Sequence, residues 1–479
     1  LVGSEMCIRD RLNAGFNLLG TSLAAQEYWD NHRALDYLLT RKDIDPEHIG
    51  VYGSSGGGTQ TAYYIGLDPR VKVAAICSFF STRERTMELQ GPSDGCQHIP
   101  YEGREQLEVP DFALMMAPRP LLILSGKYDF VDLWGAQQGF AELQQCYKVL
   151  GVPEKVDMLT VETGHGLGAE KRQKLVSWFK RWLKDDQSSV KKAAQDRFQL
   201  SDMLCTTKGQ VNVSMPGALS IMQENVNQLD EWASKRETFL SKGKKTVQTK
   251  MLDLLGLKGL PDHKIRIEAT GHDSMREYEQ YKFQLIREGE MPVPCILIMP
   301  SRANADSPIE LRLQEEGKGT YLSEYANFAA ALTEGKILLL ADLRGLGETT
   351  DPAFYTDAKY WNREYRNAMI SMHIGRPIMG QRVVDILTLL DFCSEHELLK
   401  GHPVKVFANG IYGPAVIHAA YLDERINSVE ITHSVKTWKE YIEKPMQWDM
   451  YSNVLYGALK YYDLPDLIRL SNRPIRFAD

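Results

Sequence analysis

The chain has 479 residues, 43% of them hydrophobic and 25% charged, with a formal net charge of -7. That length is too great for one ordinary core, so two domains are expected. The mild acidity and the lack of a long lysine or arginine run exclude a surface for nucleic acid. The longest apolar stretches, 295–299 and 337–341, are far shorter than the roughly 20 residues of a membrane-spanning helix and read as buried strands. Seven cysteines form no C-x-x-C pair, and His396 is followed by Glu-Leu-Leu-Lys rather than completing H-E-x-x-H, so neither a metal centre nor any other cofactor is expected. Cys77 and Cys96 would pair only in an exported protein, and buried free thiols are the plainer expectation, which leaves the compartment open to export.

Taken in order, residues 1–11 lack an initiator Met and resemble adapter-derived read-through, so they are set aside as non-native. With Arg473-Pro-Ile-Arg-Phe-Ala-Asp479 reading as the start of a buried strand, the chain is expected to be an internal fragment. Helical spacing over residues 25–39 is followed by a turn at Asp45-Pro46 and a strand at 49–52. Further strands are expected at 71–77, 121–124 and 156–161, with helices between them. This alternation marks a parallel sheet covered on both faces. Over 174–183, Leu175, Trp178, Phe179 and Trp182 fall on one stripe of a packing helix. Residues 187–256 read as a mostly helical connector containing the charged tract Ser241-Lys-Gly-Lys-Lys245. Strand signals return at 282–286, 293–299 and 336–341, which makes the second domain α/β as well. The expected domains are therefore 1–186, 187–256 and 257–479.

An internal repeat relates the two domains. Val51-Tyr-Gly-Ser-Ser-Gly-Gly-Gly…Leu-Asp-Pro-Arg-Val71 lies over Val406-Phe-Ala-Asn-Gly-Ile-Tyr-Gly…Leu-Asp-Glu-Arg-Ile426, with seventeen positions from Val to Asp in each. Val109-Pro-Asp-Phe112 and Arg119-Pro120 are echoed by Leu464-Pro-Asp-Leu467 and Arg473-Pro474, with one residue of slippage. Upstream, Arg33 and Asp36 are matched to Arg382 and Asp385, assuming a longer loop in the second copy.

Gly53-Ser54-Ser55-Gly56-Gly57 fits G-x-S-x-G between a buried strand and a helix, the setting in which the motif has mechanical meaning. Glycines on both sides of the serine are expected to relieve a tight turn, and the helix start lends the Gly56 N–H to a developing oxyanion. Serine needs a base, and the base needs an orienting acid. After the 121–124 strand comes Gly126-Lys-Tyr-Asp129-Phe-Val-Asp132, and after Val161 comes Glu-Thr-Gly-His165-Gly166. His165 alone among the domain's histidines follows the acid strand. Asp129 is the chosen acid, on the spacing G-x-x-D-x-V, with Asp132 in reserve. In the second domain Gly410 stands over Ser55 and Tyr412 over a motif glycine, so no hydroxyl nucleophile is available there; His418 and His433 are read as structural or interface residues. Gly345-Leu-Gly347 lacks the third glycine of a dinucleotide loop.

With Gly53-Ser-Ser-Gly-Gly-Gly-Thr59, Leu67-Asp-Pro-Arg70, Ala117-Pro-Arg-Pro120, Asp129, Gly164-His-Gly166 and Leu204-Cys-Thr-Thr-Lys-Gly-Gln-Val211, the chain resembles a tandem α/β-hydrolase family related to acetyl xylan esterases and dienelactone-hydrolase-type proteins. The resemblance implies two doubly wound, mostly parallel sheets, the first without its N-terminal half and the second truncated at its C-terminus. It also implies a Ser55, Asp129 and His165 triad that hydrolyses a small-molecule or polysaccharide ester. Dienelactone hydrolases use cysteine where Ser55 stands, which favours an esterase. The resemblance further implies strands before residue 49, so the nucleophile strand is expected at an edge, in a fragment of low activity from an active parent. The rivals are a serine peptidase of the prolyl oligopeptidase kind and a non-catalytic binding scaffold.

Overall fold

In the computed structural model the chain divides into two units. One is Ser22–Ser220; the other joins the described residues up to Thr21 to the chain from Ile221 onward. The residues described are 11–92, 94–190, 198–352, 364–447 and 449–478.

The first unit holds β1 (Gly50–Ser54), β2 (Val73–Cys77), β3 (Leu121–Gly126) and β4 (Val156–Val161) in the order β1-β2-β3-β4, with every pairing parallel. Parallel neighbours need crossovers, which the helices Gly56–Ile65, Val109–Leu114 and Leu133–Val149 provide. Side chains on β2 and β3 alternate between two apolar layers. Ala74, Ile76, Leu121 and Ile123 pack with Leu143 and Tyr147, while Val73, Ala75, Cys77, Leu122 and Leu124 pack against Leu175 and Trp178 of the helix Ala169–Lys184. The expected stripe on that helix is present, with Phe179 and Trp182 partly buried beside it. Among the described residues β1 pairs only with β2 and is the sheet's edge, and Tyr52 on it is 57% exposed.

The second unit holds β5 (Arg266–Ser274), β6 (Tyr278–Ile286), β7 (Val293–Pro300), β8 (Ile309–Leu313), β9 (Ile337–Ala341), β10 (Val404–Asn409), β11 (Ile426–Thr432) and β12 (Ile475–Phe477). Their order is β12-β11-β10-β8-β9-β7-β6-β5. The β5, β6, β7 and β9 pairings are antiparallel and the rest parallel, so this sheet is mixed. Sequence reading passed over three of these strands, β5, β8 and β11. β5 is largely polar and exposed along its length, and β8 is only five residues, Ile-Glu-Leu-Arg-Leu, with two charges.

The unit boundaries do not follow the expected ones. Residues 11–18 are helical and belong with the second unit. Ala14, Phe16 and Leu18 are buried, Asn13 Nδ2 donates to Tyr451 Oη at 3.1 Å, and Gly457 N donates to Asn17 O at 2.7 Å. Of the opening read as non-native, residues 1–10 lie outside the described residues, while Arg11 is buried and donates to Met446 O at 3.3 Å. The expected connector is split at Ser220, and its later part forms the helices Ile221–Leu240 and Lys244–Leu254, broken at the charged tract, where Gly243 has φ 93°.

The repeat is visible in strand register. Val51 pairs with Ala74 and Val406 with Val429, the same separation in both units. Arg70 holds Asp68 and Asp36, at 2.6 Å each, and Arg425 likewise holds Asp423 and Asp391, at 2.6 and 2.7 Å. This corrects the upstream match: the counterpart of Asp36 is Asp391, at constant spacing and with no longer loop. Asp385 instead pairs with Arg344, and Arg382 with Glu364.

The two sheets differ on one face. Where the first unit has Ala75 and Leu122 beneath a helix, the second has Glu430 and Arg476, joined by a salt bridge. Beside them on that face are Lys405, Phe407 and Ser428, with Arg312 over the Phe407 ring at 4.4 Å and bonded to Glu310. They line an open groove.

Candidate active site

Ser55 stands between β1 and the helix Gly56–Ile65 with φ 58° and ψ -123°, a conformation that L-residues rarely adopt and that tight functional turns hold. Its backbone N–H donates to Cys77 O at 3.0 Å, which ties the turn to the end of β2. A Cβ on Gly53 would lie 1.9 Å from Gly57 O, and one on Gly58 would lie 2.7 Å from Cys77 O. A Cβ on Gly57 would meet nothing within 4 Å. The glycines that the turn requires are thus Gly53 and Gly58, and the expected crowding at Gly57 is absent. Gly56 is the first residue of the helix, so its N–H has no intrahelical acceptor.

All four strands run in one direction, so the segments after β1, β3 and β4 emerge at one rim of the sheet. That rim carries Ser55, Asp129 and His165. His165 Nδ1 lies 2.8 Å from Asp129 Oδ1, with the carboxylate side chain 1% exposed and the imidazole 29%. Burial pushes the Asp129 carboxyl upward, but the Val131 N–H, His165 and the Ser78 hydroxyl outweigh it and hold the group below its ordinary value. Phe130 stacks on the imidazole at 4.2 Å between ring centres. Among the described residues no hydrogen bond joins His165 to the Ser55 hydroxyl, and the ring's Nε2 is unbonded. Asp132, the reserve acid, is engaged elsewhere: it caps the helix Leu133–Val149 by accepting from Gly135 N at 2.6 Å and faces Arg85 at 3.4 Å.

Three side chains here escaped the sequence reading. Phe130 lay inside the G-x-x-D-x-V spacing without a signal of its own. Ser78 follows β2 at φ 48°, and Lys171 is fully buried with Nζ 3.1 Å from Ser78 Oγ. Lys171 did leave a trace, because it falls on the same stripe as Leu175, Trp178 and Trp182, a charged residue on an apolar face.

At the matching turn in the second unit Gly410 has φ 64°, and a Cβ there would lie 1.7 Å from Glu315 Oε2. That same oxygen accepts from Ile411 N at 3.0 Å, the N–H that corresponds to Gly56. Tyr412, at the position that corresponds to Gly57, is buried. His418 is buried, its Nδ1 2.6 Å from Pro414 O and its Nε2 3.2 Å from Tyr462 Oη, and His433 Nδ1 lies 3.2 Å from Asn409 Nδ2. Gly345 and Gly347 have positive φ beside carboxylates: a Cβ on Gly345 would strike Glu364 and one on Gly347 Asp342. No cluster of side chains suited to a metal ion occurs among the described residues, and no helix there is long and apolar enough to cross a membrane. Cys77 and Cys96 are both buried and are not joined by a disulfide.

Residues 19–186 match the prolyl oligopeptidase family. The matched segment coincides with β1 to β4 and ends just after the helix Ala169–Lys184, so it takes in Ser55, Asp129 and His165. A Bacillus subtilis (strain 168) protein named "Putative hydrolase YtaP" is 26% identical over 168 residues, which is 35% of this chain and 56% of that protein. The chain thus spans little more than half the length of that curated relative. Among solved structures, a "putative acetyl xylan esterase" from Bacteroides fragilis is similar at 14% identity and a TM-score of 0.42, over 53% of this chain and 68% of that one. Acetyl xylan esterase 1 from Thermoanaerobacterium sp. is similar at 15% identity and a TM-score of 0.32, over 49% and 77%.

Proposed function

We propose that the first unit is a serine hydrolase acting on ester bonds, of carboxylesterase or acetyl xylan esterase type. Ser55 attacks the acyl carbon. His165 takes the hydroxyl proton and later returns one to the leaving alcohol, and Asp129 fixes the imidazole tautomer with Nδ1 protonated. The Gly56 N–H receives charge developing on the acyl oxygen. The observation that carries this reading is the 2.8 Å contact of His165 with a buried Asp129, on the same rim as a serine in a strained strand-to-helix turn. The unbonded Nε2 is the nitrogen that would serve Ser55, and loose serine-histidine contacts are common before substrate arrives. The acyl donor is a small-molecule or polysaccharide ester.

Peptide hydrolysis is the second reading, favoured by the match of residues 19–186 to the prolyl oligopeptidase family. It uses the same three side chains. Comparing an aryl acetate with an aminoacyl anilide separates the two. Preferred turnover of the acetate, abolished in Ser55→Ala, supports the esterase; preferred turnover of the anilide supports the peptidase; equal rates for Ser55→Ala and the parent protein remove both.

A further inference from the structure

Behind the Asp129–His165 pair lies a cation with no role in the reading above. Lys171 is fully buried on the helix Ala169–Lys184, and its Nζ donates to Gly166 O at 2.9 Å and to Ser78 Oγ at 3.1 Å. Gly166 is the residue after His165, and its own N–H also donates to Ser78 Oγ, at 3.1 Å. Ser78 is 3% exposed, and its backbone N–H is bound to Leu124 O at 2.9 Å. A hydroxyl has two acceptor positions and one hydrogen. These two N–H groups, with the Cys77 thiol 3.7 Å away on the same oxygen, fill the acceptor positions on Ser78, so its hydrogen is left to donate.

One acceptor nearby is unfilled. Asp129 Oδ1 takes the Val131 N–H at 3.1 Å and faces His165, but Asp129 Oδ2 is buried and has no hydrogen-bond partner. Ser78 is close enough to stabilise that carboxylate. We propose that Lys171 and Ser78 are positioning residues of the hydrolytic site, in which the Ser78 O–H donates to Asp129 Oδ2 while Lys171 holds both Ser78 and the His165 loop. The inference rests on the assignment of Asp129 and His165 given above.

The physical reason for such a relay is burial. A carboxylate out of water is costly unless paired and hydrogen-bonded. His165 cannot supply a permanent positive charge, because a general base must spend much of the cycle neutral. Lys171 places a fixed cation one hydroxyl away, and its bond to Gly166 O fixes the backbone beside the imidazole. The other titratable group facing Asp129 is His165 after β4, while Cys77 at the end of β2 faces Ser78, its thiol 3.7 Å from Ser78 Oγ. On its own strand end, Lys127 turns outward to Glu162 at 2.6 Å and Asp132 faces Arg85.

The test is the titration of the Asp129 carboxyl, followed by carbon-13 NMR in protein labelled at aspartate, with turnover of an aryl acetate measured in parallel. In Lys171→Met the carboxyl is expected to titrate at higher pH, and kcat to fall about tenfold or more with KM little changed, as misplacement of a base does. Ser78→Ala keeps the lysine but removes the donor to Asp129, and is expected to move the titration the same way, which covers the case in which Lys171→Met does not fold. Lys171→Arg, which keeps the charge, should recover most of the parent titration. An unmoved Asp129 titration in folded Ser78→Ala, or in folded Lys171→Met, overturns the relay. Because this signal needs no catalysis, an unmoved titration alongside normal turnover rejects the relay alone, and a shifted titration without any turnover rejects the hydrolase reading alone.

Discussion

At the end of β1 the chain holds Ser55 at φ 58°, and at the end of β10 it holds Gly410 at 64°, each followed by a helix of ten residues. One turn offers a hydroxyl and a helix N–H. The other offers neither, because the side chain is absent and Glu315 accepts the N–H. The strands differ as well: β10 lies between β8 and β11, whereas among the described residues β1 has a partner on one side only. The comparison shows that one positive-φ strand-to-helix turn can carry a serine beside an open N–H, while its counterpart carries a glycine beside an N–H held by a carboxylate.

The largest expected effect is on the intact turn. Ser55→Ala should lower turnover of an aryl acetate by several powers of ten, on the order of a million at most, in a steady-state assay. Installing the serine at the other turn, Gly410→Ser in a Ser55→Ala background, should restore none of it, because the new side chain meets Glu315. Measurable hydrolysis by that double variant would break the comparison.

Stability measurements sharpen it. Gly53→Ala forces a Cβ onto Gly57 O and should cost about 3 kcal/mol or more in denaturant unfolding. In the second unit, burial pushes the His418 imidazole down to about 4. The unfolded chain, with an ordinary histidine near 6.5, therefore binds a proton that the folded chain refuses. Stability should fall as pH drops from about 6.5 to about 4, by roughly 3 kcal/mol at most. Fluorescence of Trp438, whose ring centre lies 5.8 Å from that of His418, reports it. A flat stability profile across that window would remove the titration from His418. The smallest effect is expected from Gly57→Ala, which should cost only a few tenths of a kcal/mol, since nothing crowds the position.

The parts of the fold that could be read from sequence are those in which burial writes directly into residue type. β2, β3 and β9 are unbroken apolar runs because both their faces are covered. β5 could not be read because its side chains are mostly polar and none is buried, and β8 because its three buried apolar residues, Ile309, Leu311 and Leu313, make too short an alternation to stand out. The upstream match failed for a different reason: an arginine and an aspartate near one another are common, and only the bond from Arg425 to Asp391 identifies the right carboxylate. At the site, the spacing G-x-x-D-x-V led to Asp129, which faces His165, while Asp132 proved to be a helix cap. Ser78 and Glu315 were beyond reach, since neither belongs to a motif and each matters only through a neighbour distant in sequence.

The alternating charges on the open face of the second sheet have a consequence for transplanting parts between the copies. Laying the helix Ala169–Lys184 over β11 and β12 would strip water from Glu430 and Arg476, groups that now meet each other in solvent, and would set Leu175 and Trp178 against ions. Two halves that share a chain path would therefore reject each other's outer layer. What agrees in the path of the backbone is incompatible in the wrapping.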